Sequence, residues 1–449
     1  MKKNILVILL SFILFGCSNG LHRNPVPSHL EVNDGLLSSK TLRHWGDIPY
    51  SVEQYVFDEK LRSATFDKNL IVDEAGNIKP QHFLTISGGG ANGAYGAGLI
   101  NGMTESGKRP EYRMVTGIST GAILGLYAFL GEDYDHKLRE FYTELSDQDL
   151  YETRYIWQIF SSSSLLNTAR FEKLVRDEVD RELIDKVKKE YLRGRTFLVK
   201  TTNLDVQRPV IWNMGEIAMH DTEEAVRLFQ SVLIASASIP GVFEPVLIRF
   251  NINGVIYDEL HVDGGVIAQA FFIPENMDVE EMTSVEDKQL TQLGINLPES
   301  RVSHTWMINN SRIGAIWEPT QPTLTNISSR SISTMIKYQG RNNINNIYHQ
   351  SNLIGSTFNY SYIDHRIPDT PQDAPFSKEY MQHMYCYGYV QGLSDKHWHS
   401  QLPDYSKMKN IEPWYDLQAR IESFNWNVIQ PGLAESINRC ILDLNSINR

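Results

Sequence analysis

Short apolar runs separated by glycine-rich turns fill the stretch from 82 to 130. Phe83-Leu84-Thr85-Ile86 is apolar and partly β-branched, which predicts a buried strand. It runs into Ser87-Gly88-Gly89-Gly90-Ala91-Asn92-Gly93-Ala94-Tyr95-Gly96-Ala97-Gly98, after which Leu99, Ile100 and Met103 continue as a helix. Tyr112-Arg113-Met114-Val115-Thr116 predicts a second buried strand, and 122–130 a second helix. Phe171, Leu174, Val175, Val179, Leu183, Val187 and Tyr191 share one face of a helix over 171–192, with interleaved acids and bases on the other. Strands are predicted over 196–202 and 210–212, a helix over 223–234, and a strand over 256–263 that ends in Asp263-Gly264-Gly265. Beyond it, 276–300 reads as an exposed acidic loop or short helices, 331–348 as a helix and 356–363 as an alternating strand. The segment 380–389 is aromatic and Met-rich at helical spacing, a core pattern that could also line an acyl groove. Strands alternating with helices indicate an α/β fold with a central, mainly parallel sheet and helices on both faces.

The 449 residues, 41% of them hydrophobic and 21% charged, describe a globular chain of one large domain with extensions or of two domains. A net charge of −12 argues against nucleic acid as a partner and against a general electrostatic pull toward anionic lipid. Membrane association therefore needs a specific cause, and the N-terminus offers one. Met1-Lys2-Lys3 is a basic start, and the apolar run over 5–15 is too short to span a bilayer. Leu14-Phe15-Gly16-Cys17 resembles the lipobox of bacterial lipoproteins, which implies a signal peptide over 1–16 and a lipidated Cys17. Ser18 in the next position implies outer-membrane sorting. Residues 18–45 are polar and read as a tether, and 46–80 as a small subdomain. Cys386 and Cys440 are left as a bridged pair or as two buried thiols, and both readings stand.

Two glycine-rich turns carry the candidate chemistry. Gly88-x-Gly90-x-x-Gly93 satisfies a dinucleotide fingerprint, yet the second strand ends in Thr116-Gly117-Ile118-Ser119 and not in an acid for the ribose. The other reading is an oxyanion hole, in which successive glycines let backbone N–H groups converge on one spot. One βα unit later, Gly117-Ile118-Ser119-Thr120-Gly121 lies between a strand and a helix, the setting of a nucleophile elbow. In a parallel sheet both turns open at the same carboxyl edge. Asp263 is the candidate base.

Gly88-Gly89-Gly90-x-x-Gly93, Gly117-x-Ser119-x-Gly121 and Asp263-Gly264-Gly265, in this order and spacing, resemble the patatin-like phospholipases. Ala235-Ser236-Ala237-Ser238-Ile239-Pro240, Phe243-x-Pro245 and Thr202-Asn203-Leu204 resemble further segments of that family. Weaker similarity to its bacterial lipoprotein members runs from Trp306-Met307-Ile308-Asn309-Asn310 to Trp398. The resemblance implies a patatin-like three-layer fold, with an N-terminal tether and extension over 17–80, a catalytic domain over 81–275 and a C-terminal extension over 276–449 packed on it. It implies a serine acyl hydrolase of the phospholipase A or lysophospholipase type, working through an acyl-enzyme without cofactor or metal. Ser119 would be the nucleophile, Asp263 the general base and acid, and Gly88, Gly89 and Gly90 the oxyanion hole, supported by Gly93, Gly117, Gly121, Gly264 and Gly265. The implied partners are phospholipid or another acyl ester and, through Cys17, a membrane of the bacterial envelope. Ser87 stands where the family often has an acid, and Asn92 where it often has Arg or Lys; these departures motivate a non-catalytic envelope lipoprotein as the alternative. An acyltransferase using the same acyl-enzyme is a further one. A Ser-Asp-His hydrolase would draw on His304, His349, His365, His383, His397 or His399, none in a recognisable catalytic context.

Overall fold

Alternate residues of the central strands belong to different cores. Leu84, Ile86, Val115, Phe197, Val199, Ile308 and Ile363 join one large buried cluster, whereas Met307, Phe358 and Tyr360 join a second and Leu198 a third. Side chains alternate across a strand, so these clusters lie on opposite faces of one sheet, each covered by helices. The computed structural model describes residues 23–28, 41–49, 66–153, 163–274, 278–298, 301–316, 319–371, 373–405, 408 and 420–447. The leader over 1–16 and Cys17 lie outside the described residues.

In chain order the strands are β1 (Arg43–Trp45), β2 (Gln81–Ile86), β3 (Met114–Gly117), β4 (Glu152–Thr153), β5 (Leu166–Asn167), β6 (Thr196–Asn203), β7 (Arg208–Asn213), β8 (Val246–Ile252), β9 (Val255–Asp263), β10 (Ser303–Arg312) and β11 (Ser356–Ile363). The helices are α1 (Gly93–Glu105), α2 (Thr120–Leu130), α3 (Asp135–Thr143), α4 (Asp147–Leu150), α5 (Ala169–Glu178), α6 (Arg181–Leu192), α7 (Met214–Ala218), α8 (Glu223–Ser236), α9 (Val279–Gln292), α10 (Leu324–Leu353), α11 (Lys378–Gly392) and α12 (Leu433–Ile447). One mixed sheet runs β1-β7-β6-β3-β2-β10-β11, with β9 also on β6 and β8 on β9. Its centre, β6-β3-β2-β10-β11, is parallel. β2 and β3 end together, Ile86 opposite Gly117, so the turns after them share one edge. β9 runs against β6 and ends with Asp263 opposite Thr201, just past Val199, the partner of Gly117. This crossing brings Asp263 to the edge where β3 stops.

The structure refines the sequence expectations in several places. The helix over 171–192 is two helices, because the chain leaves helical geometry at Val179 and the Asp180 carboxylate caps α6 by accepting from the Leu183 amide at 2.9 Å. The stretch over 276–300 holds the 14-residue helix α9, capped by Asp278 and with Glu280 and Glu281 favourably in its first turn. Part of the tether is docked: Arg23 pairs with Asp205 and Asp258, and Arg43–Trp45 extends the sheet against β7. Leu70 and Ile71, in the expected small subdomain, form a core with Leu290 of α9 and with Ile295 just beyond it. The C-terminal region is no appendage: β10 and β11 complete the sheet, and Tyr380, Met384 and Tyr385 of α11 enter the main core. Cys386 and Cys440 are disulfide-bonded, joining α11 to α12.

Candidate active site

Ser119 sits between β3 and α2 with φ 57° and ψ −130°, a conformation L-residues adopt at a cost of about 1–3 kcal/mol. Its surroundings impose it. A Cβ on Gly117 would lie 2.2 Å from the Gly121 carbonyl oxygen, and one on Gly121 would lie 2.4 Å from the Ile86 carbonyl oxygen. The turn is therefore too tight for any other residue at either position. The Ser119 amide donates to Ser236 Oγ at 2.9 Å, and that hydroxyl donates to the Lys200 carbonyl at 2.9 Å. Ser236 thus ties the turn to β6 from the end of α8.

Asp263 is buried at the end of β9. Its Oδ1 accepts from the Gly265 amide at 2.7 Å. Burial pushes its pKa up to about 7, with the nearby Ser119 side chain and the Gly265 amide acting in the opposite direction. The Asp263 amide donates to the Ser238 carbonyl, and Thr202 Oγ1 donates to the Asp263 carbonyl. Gly264 lies against the Lys200 carbonyl, completing the Asp-Gly-Gly turn beside Ser119. Two residues of the small-residue stretch 235–238 thus hold the two ends of the site, a role their composition alone does not announce.

In the glycine loop one expectation is corrected. The Gly88 amide donates to the Gln269 carbonyl at 2.9 Å, so it is not available to an oxyanion. Among the described residues the amides of Gly89 and Gly90 donate to no protein acceptor. Gly90 has φ +55°, which turns the chain into α1 next to Ser119, and the two line one cavity. Gly93 begins α1 and packs on Thr120, the first residue of α2.

The two unusual positions in this loop have definite work. Ser87 Oγ accepts from the Asn310 amide at 2.8 Å, and the Ser87 carbonyl accepts from Asn310 Nδ2 at 3.0 Å. Ser87 therefore fastens the loop to the end of β10. Asn92 Oδ1 accepts from the Tyr380 hydroxyl at 2.5 Å, and Tyr380 in turn accepts from the buried Arg312 guanidinium at 2.8 Å. Asn310, Arg312, Tyr380 and Gln269 were invisible to local patterns, since each meets the loop from a distant part of the chain.

The histidines play other parts. His304 stacks on His82, His349 meets Tyr348, His365 faces Asp364, His383 stacks on Trp426, His397 meets Trp398, and His399 lies beside Tyr360 and Tyr362. Among the described residues none hydrogen-bonds to Ser119. A narrow cavity of about 40 Å³ opens at Ser119 and Gly90, lined by Ile123, Phe141, Leu150, Phe171, Phe243 and Phe376 among others. Its walls are mainly apolar, with Ser119, Thr120 and Tyr142 at the polar positions, and suit a hydrocarbon chain.

Comparison with known proteins agrees with the motifs. Residues 84–274 match the family model of the patatin-like phospholipases. Solved structures with some likeness include VipD from Legionella pneumophila, at 13% identity and a TM-score of 0.31, covering 73% of this chain and 70% of that one. Human GIVD cytosolic phospholipase A2 is 10% identical with a TM-score of 0.29, covering 90% of this chain and 66% of that one. No curated protein matches the chain.

Proposed function

We propose, from the premise that residues 84–274 are a patatin-like phospholipase domain, that the chain is a lipid acyl hydrolase working through a Ser119–Asp263 dyad. The observation that carries this reading is the strained Ser119, beside a buried carboxylate whose pKa is pushed up to about 7, at the mouth of an apolar cavity. A carboxylate at its ordinary pKa is a weak base for an alcohol; one near the working pH is a far better match.

Ser119 Oγ attacks the ester carbonyl as Asp263 takes its proton. The tetrahedral oxygen is held by the amides of Gly89 and Gly90, strengthened by exclusion of water. As the intermediate collapses, Asp263 returns the proton to the leaving alcohol. Water then gives its proton to Asp263, adds to the acyl-enzyme and releases the fatty acid with Ser119 regenerated. Hydrolysis of p-nitrophenyl butyrate and of phosphatidylglycerol by wild type beside Ser119→Ala and Asp263→Asn tests the reading. Turnover by wild type, with both variants down by about a thousandfold or more, is expected; equal rates in all three would refute it.

For the envelope location, the support is the sequence Leu14-Phe15-Gly16-Cys17 after a short apolar run. A mature chain beginning at an acylated Cys17, lost in Cys17→Ser, is the expected result of mass spectrometry on membrane fractions.

A further inference from the structure

Among the described residues, little packs on the first half of α10. Its buried residues begin only at Gly340 and continue with Ile344, Ile347, Gln350 and Ser351. Before that point Leu324, Ile327, Ile332, Met335, Ile336 and Tyr338 are all exposed, Leu324 by 83% and Met335 by 63%. Isolated exposed apolar side chains are ordinary, but six within four helical turns form a continuous stripe. Among the described residues no helix is long and apolar enough to cross a membrane, α10 included.

The charge of this stretch is as unusual as its exposure. The chain has 54 acidic residues and a net charge of −12, yet no Asp or Glu occurs between Glu318 and Asp364. The charged residues within that interval are Arg330, Lys337 and Arg341, spaced by seven and four along one side of α10. The three lie close enough that Arg330 and Arg341 add to burial in lowering the Lys337 pKa to about 8. Anionic headgroups would relieve this crowding. A second copy of the same face would worsen it.

The stripe leads to the site. Ile332, Ile336, Gln339 and Asn343 follow one another at helical spacing on one side of α10. Gln339 Nε2 donates to the Ile267 carbonyl at 2.6 Å, and Asn343 Oδ1 accepts from the Gln269 amide at 2.7 Å. Gln269 Nε2 donates to the Gly265 carbonyl at 2.8 Å, and the Gln269 carbonyl accepts from Gly88. One turn beyond the apolar stripe, α10 is therefore fastened to the Asp-Gly-Gly turn and the glycine loop together. Val266, in the same turn, is exposed as well.

From these observations we infer that the free half of α10 is an interfacial helix that seats the catalytic edge on an anionic lipid surface. The purpose of the docking rests on the acyl-hydrolase reading above; its geometry does not. Such helices lie in the interface plane with their apolar face about 5–10 Å into the headgroup boundary, and nearby cations add attraction to anionic lipid. Lying this way, α10 would hold the Ser119 edge at the depth of the ester bonds, so a lipid need not leave the bilayer fully to react.

A fluorophore sensitive to polarity, attached at Met335→Cys in full-length protein carrying Cys17→Ser, tests this. Expected with phosphatidylglycerol–phosphatidylethanolamine vesicles is a several-fold rise in emission that chain-labelled lipids quench, much weaker with phosphatidylcholine and absent for a control probe at Ser284→Cys on α9. A probe at 335 that stays aqueous with anionic vesicles would overturn the inference. In a second arm, Met335→Glu with Ile336→Glu should keep full turnover of soluble p-nitrophenyl butyrate and lose about tenfold or more on phosphatidylglycerol vesicles. Unchanged vesicle turnover, with a change from dimer to monomer on sizing, would make the stripe a self-association face and sink the proposal. Probe insertion without ester turnover in any form would leave the docking surface standing and refute the hydrolase reading instead.

Discussion

In the proposed mechanism Asp263 couples chemistry and stability in opposite directions. Its carboxyl titrates near 7 in the folded chain, against about 3.9 for an ordinary aspartate. Because folding raises the pKa, stability from this group is full below about pH 4 and is lost as pH rises through 7. Asp263→Asn should therefore unfold like wild type near pH 4 and be more stable at pH 8, by up to on the order of 4 kcal/mol. Denaturant titrations at the two pH values check this. The proposed mechanism needs the ionised form, so wild-type kcat/KM should fall about tenfold per pH unit below 7. Ser119 and Asp263 were legible in the sequence because each sits in a turn whose glycines are adjacent in the chain. The roles of Ser236, Asn310 and Arg312 were not, because their partners Ser119, Ser87 and Tyr380 lie in two turns and a helix far away in the chain, and only folding brings them together.

Among elements, β2, β3 and β6 were readable as apolar runs buried on both faces and β11 as an alternating strand, whereas β10, between β2 and β11, was not anticipated. The break between α5 and α6 was missed because Val179 and Leu183 keep the apolar stripe in phase across it, and only the Asp180 cap marks the interruption. The segment before α11 also escaped notice, although it shapes the cavity. Phe376, held by its amide on Asp147, stands beside Phe243 and Gly90. A cavity of about 40 Å³ holds only three or so water-sized groups. On the proposed acyl-hydrolase reading the resting cavity fits a short acyl chain, and Phe376 is one of the walls a longer chain would have to displace. Phe376→Ala should raise kcat/KM for p-nitrophenyl octanoate relative to the butyrate by about tenfold. An unchanged chain-length profile would mean that the acyl group lies elsewhere.

At the scale of the molecule, the segment that matches the family model is not self-sufficient. β2 lies between β3 and β10, and the face of α1 is covered by α11, both from beyond residue 276. A fragment of 81–275 would expose a full edge of β2 and the apolar surface of α1. It should aggregate on expression while the whole chain remains soluble; a folded, monomeric fragment would show that the C-terminal strands are dispensable. The sequence resemblance spans about the same stretch as the family match and so drew the boundary at the motifs. The packing draws it around one sheet.

The central claim is that Ser119 is the nucleophile and Asp263 its base. The most direct measurement is the rate at which a fluorophosphonate labels the protein between pH 5 and 9, with the modified residue located by mass spectrometry. One adduct on Ser119, formed at a rate that climbs through pH 7 and is lost in Asp263→Asn, is the predicted result. Labelling at another residue, or a rate on Ser119 indifferent to both pH and Asp263, would contradict it.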